Sequence, residues 1–369
     1  MKKIPVNLKR NGYNVLIGTG LLKRAGRELR RNLPSPGSQV FVVTSPTVRK
    51  HWGETLEQSL TREKLSYRML EMNDGEPAKR LGTVEKLAEQ MVRSGADRKT
   101  LLVAFGGGVV GDCVGFLASI FMRGVPVVQV PTTVLAQVDA SIGGKTGVNL
   151  SAGKNLIGTF HQPRAVLVDP TVLETLNERE FHAGLFESLK CGVIRDPKLF
   201  EFMAQQPGRI LAQDREALER VIVGSVQVKA SVVAVDERES GLRRILNFGH
   251  TIGHALEAAT GYTQLLHGEA VAWGMLAAVE IARHAGVCRE ETARRIQTAV
   301  CAYGPLPPVS APGDQILGLL AADKKSVAGK VHWVLPKKIG SVVITSEVPP
   351  ETVRGAIERI LNADWLGRN

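Results

Sequence analysis

The chain has 369 residues, 44% hydrophobic and 22% charged, a balance ordinary for a soluble protein and long enough for two or three domains. Its 47 Lys and Arg against 36 Asp and Glu give a formal net charge of +11, which reads as a solvated basic surface or as attraction for anionic small molecules such as phosphates and carboxylates. There is no dense Lys/Arg run with interleaved aromatics and no zinc-finger or RNA-binding signature, so nucleic acid is not expected as a partner, and no uncharged apolar run reaches the roughly 18 residues of a membrane span.

The first residues, MKKIPVNLKRNGYNVLIG, are charged but lack the apolar stretch of a signal peptide. Short apolar runs then alternate with helical patterns. QVFVVTSP (39–46) predicts a buried strand ending in a turn, followed by a helix over 47–60 and a strand over 62–70. TVEKLAEQMVRSG (83–95) has helical periodicity and a glycine stop, and TLLVAFGGG (100–108) predicts a strand running into a glycine turn. VPVVQVPTT (125–133) and RAVLVDP (164–170) are further strands. Strands alternating with helices predict a parallel, Rossmann-like α/β sheet.

After about residue 175 the texture is helical, over 178–194, 215–236, 249–259, 268–286 and 291–304. The expectation is therefore an α/β + all-α chain: an N-terminal parallel-sheet domain over 1–175 and a C-terminal helical domain over 176–369, with the active site in the cleft between them. The four cysteines, Cys113, Cys191, Cys288 and Cys301, lie far apart with no CxxC, which suits reduced thiols in the cytoplasm.

Three stretches carry chemistry. GGGVVG (106–111) matches G-x-G-x-x-G after a strand and at the start of an apolar helical stretch, where glycines let the backbone approach a pyrophosphate. No acidic residue follows about twenty positions on, so the dinucleotide fingerprint is half met; a ligand-free tight turn is the alternative. Asp112, next in sequence, suits a helix cap or a ribose contact. DASIGGKTGVNLSAGKNLIG (139–158) carries Lys145 and Lys154 on a glycine-rich loop, a mobile pair of point charges suited to phosphate or polyol oxygens, or a plain surface loop. The third stretch holds NFGHTIGHALE (247–257). His250 and His254 stand four apart, on one face of a helix, and His267 follows. With Glu187 these make a set of His and Glu ligands of the kind catalytic zinc sites use. Spacing alone selects both His250 and His254, and leaves the remaining ligands open.

The blocks DGEPAK (74–79), GGGVVGD (106–112), FMRGVPVVQVPTT (121–133), QVDASIGGKTGVN (137–149), GKNLIGTFHQP (153–163), FESLKCGVI (186–194), KASVVAVDERESGLRRILNFGHTIGH (229–254) and LHGEAV (266–271) resemble the 3-dehydroquinate synthase family, in family order over nearly the whole chain. DKKSVAGKVHWVLPKKIG (323–340) resembles its C-terminal block. The resemblance implies conversion of 3-deoxy-D-arabino-heptulosonate 7-phosphate to 3-dehydroquinate and phosphate, with catalytic NAD and a divalent metal, usually zinc or cobalt, in a cytoplasmic homodimer. It implies metal ligands Glu187, His250 and His267, with His254 turned to the substrate. Implied NAD contacts are Asp74, Gly75, Glu76, Lys79, Gly108, Val109, Val110, Gly111, Asp112, Thr132, Thr133, Lys145 and Lys154. Implied substrate contacts are Arg123, Asp139, Lys145, Lys154, Asn155, Lys190, Lys229, Arg243, Asn247 and His254, with one of Lys324 and Lys325. One departure stands out: the strand over 39–46 ends Thr44-Ser45-Pro46, where the family often offers Asp or Asn to the adenosine ribose. The rivals are another sugar phosphate cyclase, which generally alters the carboxylate-side group kept here as Lys229, Arg243, Asn247 and His254, and a metal-dependent polyol dehydrogenase of the glycerol dehydrogenase type, which needs no phosphate clamp.

Overall fold

A computed structural model describes residues 1–326 and 331–362, apart from the side chains of 323–326. It divides into two compact units, one of Met1–Asn177 with Lys229–Arg238, the other of Glu178–Val228 with the residues from Glu239 onward.

The first unit is built on a seven-stranded sheet. Its strands are β1 (Lys2–Val6), β2 (Tyr13–Ile17), β3 (Val40–Thr44), β4 (Tyr67–Glu71), β5 (Leu101–Gly106), β6 (Val127–Pro131) and β9 (Ala165–Val168), in the order β1-β2-β9-β6-β5-β3-β4. All neighbours run parallel except β1 and β2. The near-continuous apolar runs follow from burial on both faces. In β3, Phe41 and Val43 join one core, while Val40 and Val42 join the other. The β1–β2 hairpin was not expected from sequence. Its edge strand, KKIPV, exposes Lys2, Lys3 and Pro5, residues that blunt an edge, and a proline inside so short a run argues against a strand.

The expected lysine-rich loop is instead a second hairpin, β7 (Lys145–Leu150) against β8 (Gly153–Phe160), with a register shift between Val148 and Leu150. Its small residues permit the close pairing: a Cβ on Gly158 would lie 2.2 Å from the Thr146 carbonyl oxygen.

In the second unit, the helix His267–His284 is buried at every residue from Gly268 to Ala282, which makes it the central element. The helices Glu178–Ile194 and His250–Ala259 pack on it. This unit is not purely helical: β10 (Trp333–Lys338) and β11 (Ser341–Thr345) form an antiparallel ribbon whose Trp333, Val334 and Leu335 are buried. Among the described residues no helix is long and apolar enough to cross a membrane.

Candidate metal centre and cofactor turn

Three helices of the second unit bring Glu187, His250 and His267 together. Glu187 lies inside Glu178–Ile194 and is fully buried. His250 and His267 each begin their helices, so both rings hang at helix ends rather than between turns. Gly249 makes the approach of the first possible. Its φ is +80°, and a Cβ there would lie 2.7 Å from the Val271 carbonyl oxygen. Gly268 does the same for the second, because a Cβ would stand 1.8 Å from the carbonyl oxygen of Ala183 on the glutamate helix.

The ligand atoms of Glu187, His250 and His267 all lie within 4.8 Å of one another. The Nε2 atoms of His250 and His267 stand 3.6 and 3.9 Å from Glu187 Oε1, too long for hydrogen bonds. Glu187 Oε1 is buried with no hydrogen-bond partner, an arrangement that costs free energy unless a cation satisfies it. Lys190, one turn on and nearly fully buried, pairs with Glu187 Oε2. A divalent cation fits this donor set, one carboxylate and two imidazoles, three protein ligands of the kind catalytic zinc sites use.

The far side of each ring agrees. His250 Nδ1 lies 3.2 Å from the Phe248 carbonyl oxygen, and His267 Nδ1 lies 3.1 Å from Glu257 Oε2. A ring that donates from Nδ1 keeps its Nε2 lone pair for a metal. Burial, helped by the positive charge of Lys190, holds His250 well below the ordinary imidazole value and so keeps it neutral. Burial also disfavours charge on His267, but the hydrogen bond and charge of Glu257 outweigh it and leave that ring above its usual value.

His254 is exposed, and its ring centroid lies 5.3 Å from that of His250. Among the described residues no ligand group contains both His250 and His254; the latter groups with Glu257 and His267. The i, i+4 pairing that spacing selects is thus not the one the helices assemble. Arg243 is buried at 2% exposure, and Asn247 donates to Glu239 Oε1 at 2.8 Å. The side chains of Lys324 and Lys325 lie outside the described residues.

In the first unit the glycine turn connects β5 to the helix Gly108–Ile120, so its amides point from a helix N-terminus. Asp112 does not cap that helix: it pairs with Lys79 at 2.5 Å. Burial opposes the charge on Lys79, yet Asp112 and Glu76 hold its ammonium above the usual range. Thr132 and Thr133 sit beside the turn, with Thr132 donating its amide to the Gly106 carbonyl oxygen at 3.0 Å. Asn149 ties this region to the β7–β8 hairpin. Its side chain donates to Glu76 Oε1 at 2.6 Å and accepts from the Asn155 amide at 2.8 Å. Lys154 is half-buried and Lys145 exposed. Lys229 donates to Asp139 Oδ1 at 2.6 Å. Arg123 lies beyond the C-terminal end of the helix whose N-terminus carries the turn, and both it (φ 70°) and Met122 (φ 46°) are left-handed.

Sequence reasoning missed Glu257 and Asn149. Glu257 stands seven residues after His250 on the same helix face, a legible signal. Asn149 has no such signal, because its role arises only once the hairpin folds back.

This fold, with a glycine turn on a parallel sheet and a mainly helical unit presenting one carboxylate and two imidazoles, is the one found in sugar phosphate cyclases of known structure. The structure is similar to 2-epi-5-epi-valiolone synthase from Streptomyces hygroscopicus subsp. jinggangensis with NAD+ and Zn2+ bound (TM-score 0.87, 31% identity, 95% of this chain and 97% of that one). It is equally similar to 2-deoxy-scyllo-inosose synthase complexed with carbaglucose-6-phosphate, NAD+ and Co2+ (TM-score 0.87, 26% identity, 96% and 99% covered). Residues 69–183 match the family model for the 3-dehydroquinate synthase N-terminal region, and 184–326 that for its C-terminal region. The 3-dehydroquinate synthase of Koribacter versatilis is 52% identical over all 369 residues, covering both chains fully. The chain belongs to the 3-dehydroquinate synthase family.

Proposed function

We propose that this chain converts 3-deoxy-D-arabino-heptulosonate 7-phosphate to 3-dehydroquinate and inorganic phosphate, using NAD and one divalent cation, and that Glu187, His250 and His267 are the metal ligands. The observation that carries the assignment is the buried, unbonded Glu187 Oε1 facing two Nε2 atoms. Family membership supports the reaction over a polyol dehydrogenase and over the sister cyclases.

When bound, NAD supplies a transient hydride acceptor and the cation a Lewis acid for the substrate hydroxyls. The chain's own residues position and balance charge. Glu257 orients His267 through Nδ1. Lys190 balances Glu187 and sets a cation beside the metal position. Arg243, Asn247 and His254 supply donors for the anionic ends of the substrate, and Lys229, Asp139, Lys145, Lys154, Asn155 and Arg123 complete the substrate set. Asp74, Gly75, Glu76 and Lys79, the segment Gly108–Asp112, Thr132 and Thr133 form the NAD set, with Lys145 and Lys154 shared. No strong protein base is needed for the C6 proton, since the leaving phosphate can accept it. The same reading includes a homodimer in the cytoplasm, of which light scattering tests the first part.

The test is phosphate release from the heptulosonate phosphate, with and without catalytic NAD and a chelator. Release should require NAD far below stoichiometric amounts, stop with chelator and return with zinc or cobalt. Stoichiometric NADH accumulation would contradict the cyclase reading.

A further inference from the structure

The departure at Thr44-Ser45-Pro46 has a structural answer. In sheets of this type, a carboxylate at the end of the strand beside the glycine-turn strand reads the 2′-hydroxyl of the adenosine ribose, and a nearby Arg accommodates a 2′-phosphate instead. The glycine-turn strand is β5, and β3 is its parallel neighbour, with Thr44 level with Phe105. β3 ends without a carboxylate: Thr44 and Ser45 are buried, and Pro46 follows.

The next strand out, β4, supplies one. Thr44 is also level with Glu71, and the Met72 amide donates to the Thr44 carbonyl oxygen at 2.9 Å, so the segment leaving β4 stays beside the end of β3. Two residues later Asp74 folds back onto the β3 exit. Its Oδ2 accepts from the Thr47 hydroxyl at 2.8 Å and from the Thr47 amide at 3.3 Å. Gly75, at φ +82°, then turns the chain toward Glu76 and Lys79. Both Asp74 and Thr47 are exposed, so the carboxylate is oriented yet open to a ligand. The arginine at this strand end is already committed: Arg49 pairs with Glu71 at 2.7 Å and with Glu57 at 3.8 Å.

We infer that Asp74, oriented by Thr47, is the residue that reads the adenosine ribose and makes this chain select NAD over NADP. The assignment rests on the NAD reading above. An ionised carboxylate accepts from a 2′-hydroxyl and repels a 2′-phosphate, and Arg49 beside it is held by Glu71 and Glu57.

The test is calorimetric titration of the unmodified chain, Asp74→Asn and Thr47→Val with NAD and with NADP. The wild type should prefer NAD by at least about tenfold, and Asp74→Asn should shrink that ratio by about tenfold, chiefly by tightening NADP. Thr47→Val should move the ratio the same way by a smaller factor. An Asp74→Asn ratio within about twofold of wild type would overturn the assignment, as would equal wild-type binding of both dinucleotides. A wild type that binds neither would overturn the NAD reading and the assignment with it.

Discussion

Glu257→Gln is the sharpest probe of the proposed metal centre, because it leaves all three proposed ligands in place. Glu257 is 3% exposed, and its Oε2 lies 3.1 Å from His267 Nδ1. The substitution is nearly isosteric, so it opens no cavity. It removes the negative charge that holds the Nδ1 proton, and the amide can present an N–H to the ring instead, favouring the tautomer that protonates Nε2. Hydrogen bonds to charged groups contribute about 1.5–3 kcal/mol. Outer-shell partners of ligating histidines are worth roughly 10–100-fold in metal affinity, which is about 1.4–2.7 kcal/mol and agrees. The assay is competition for zinc between the metal-free variant and a chromophoric chelator, with circular dichroism to establish that the variant is folded. A folded Glu257→Gln protein that binds zinc as tightly as wild type would refute the reasoning.

Three other outcomes follow from the geometry. Lys190→Ala should fold and bind metal yet turn over poorly, with a loss of roughly 2–5 kcal/mol in handling the substrate anion, by analogy with truncated buried charge pairs; wild-type kcat/KM would remove Lys190 from the site. Gly268→Ala would place a methyl group 1.8 Å from the Ala183 carbonyl oxygen, so it should lower stability in urea by at least about 1–3 kcal/mol and weaken metal binding, whereas unchanged urea midpoints would contradict the close helix contact. Burial pushes the Cys113 thiol up from 9.0 to about 12. The unfolded chain therefore loses this proton first, and stability should fall as pH rises from 9 toward 12, by up to about 1.4 kcal/mol per pH unit. Cys113→Ala should flatten that alkaline slope in urea titrations, and an unaltered slope would count against it.

Much of this architecture is legible in the sequence because burial on two faces writes long apolar runs. VFVVT and LLVAFG could hardly be anything but central strands once followed by turns. The edge hairpin was harder, since Ile4 and Val6 alternate inward over only a few residues and Pro5 between them argues against a strand. Glycines told against the β7–β8 hairpin, although Gly147 and Gly158 are what let its strands meet. At the metal centre, residue types were readable and partners were not. His250 and His254 share a helix face, but which ring meets Glu187 depends on Gly268 drawing the His267 helix onto the glutamate helix, a contact across 85 residues that no local period encodes.

The central claim is a single cation held by Glu187, His250 and His267. Anomalous diffraction at the zinc edge from metal-replete crystals tests it most directly. The expected result is one ion bound to the Glu187 carboxylate and to Nε2 of both histidines, with His254 unbound. An ion seated instead among His254, Glu257 and His267, or none within reach of Glu187, would contradict the account.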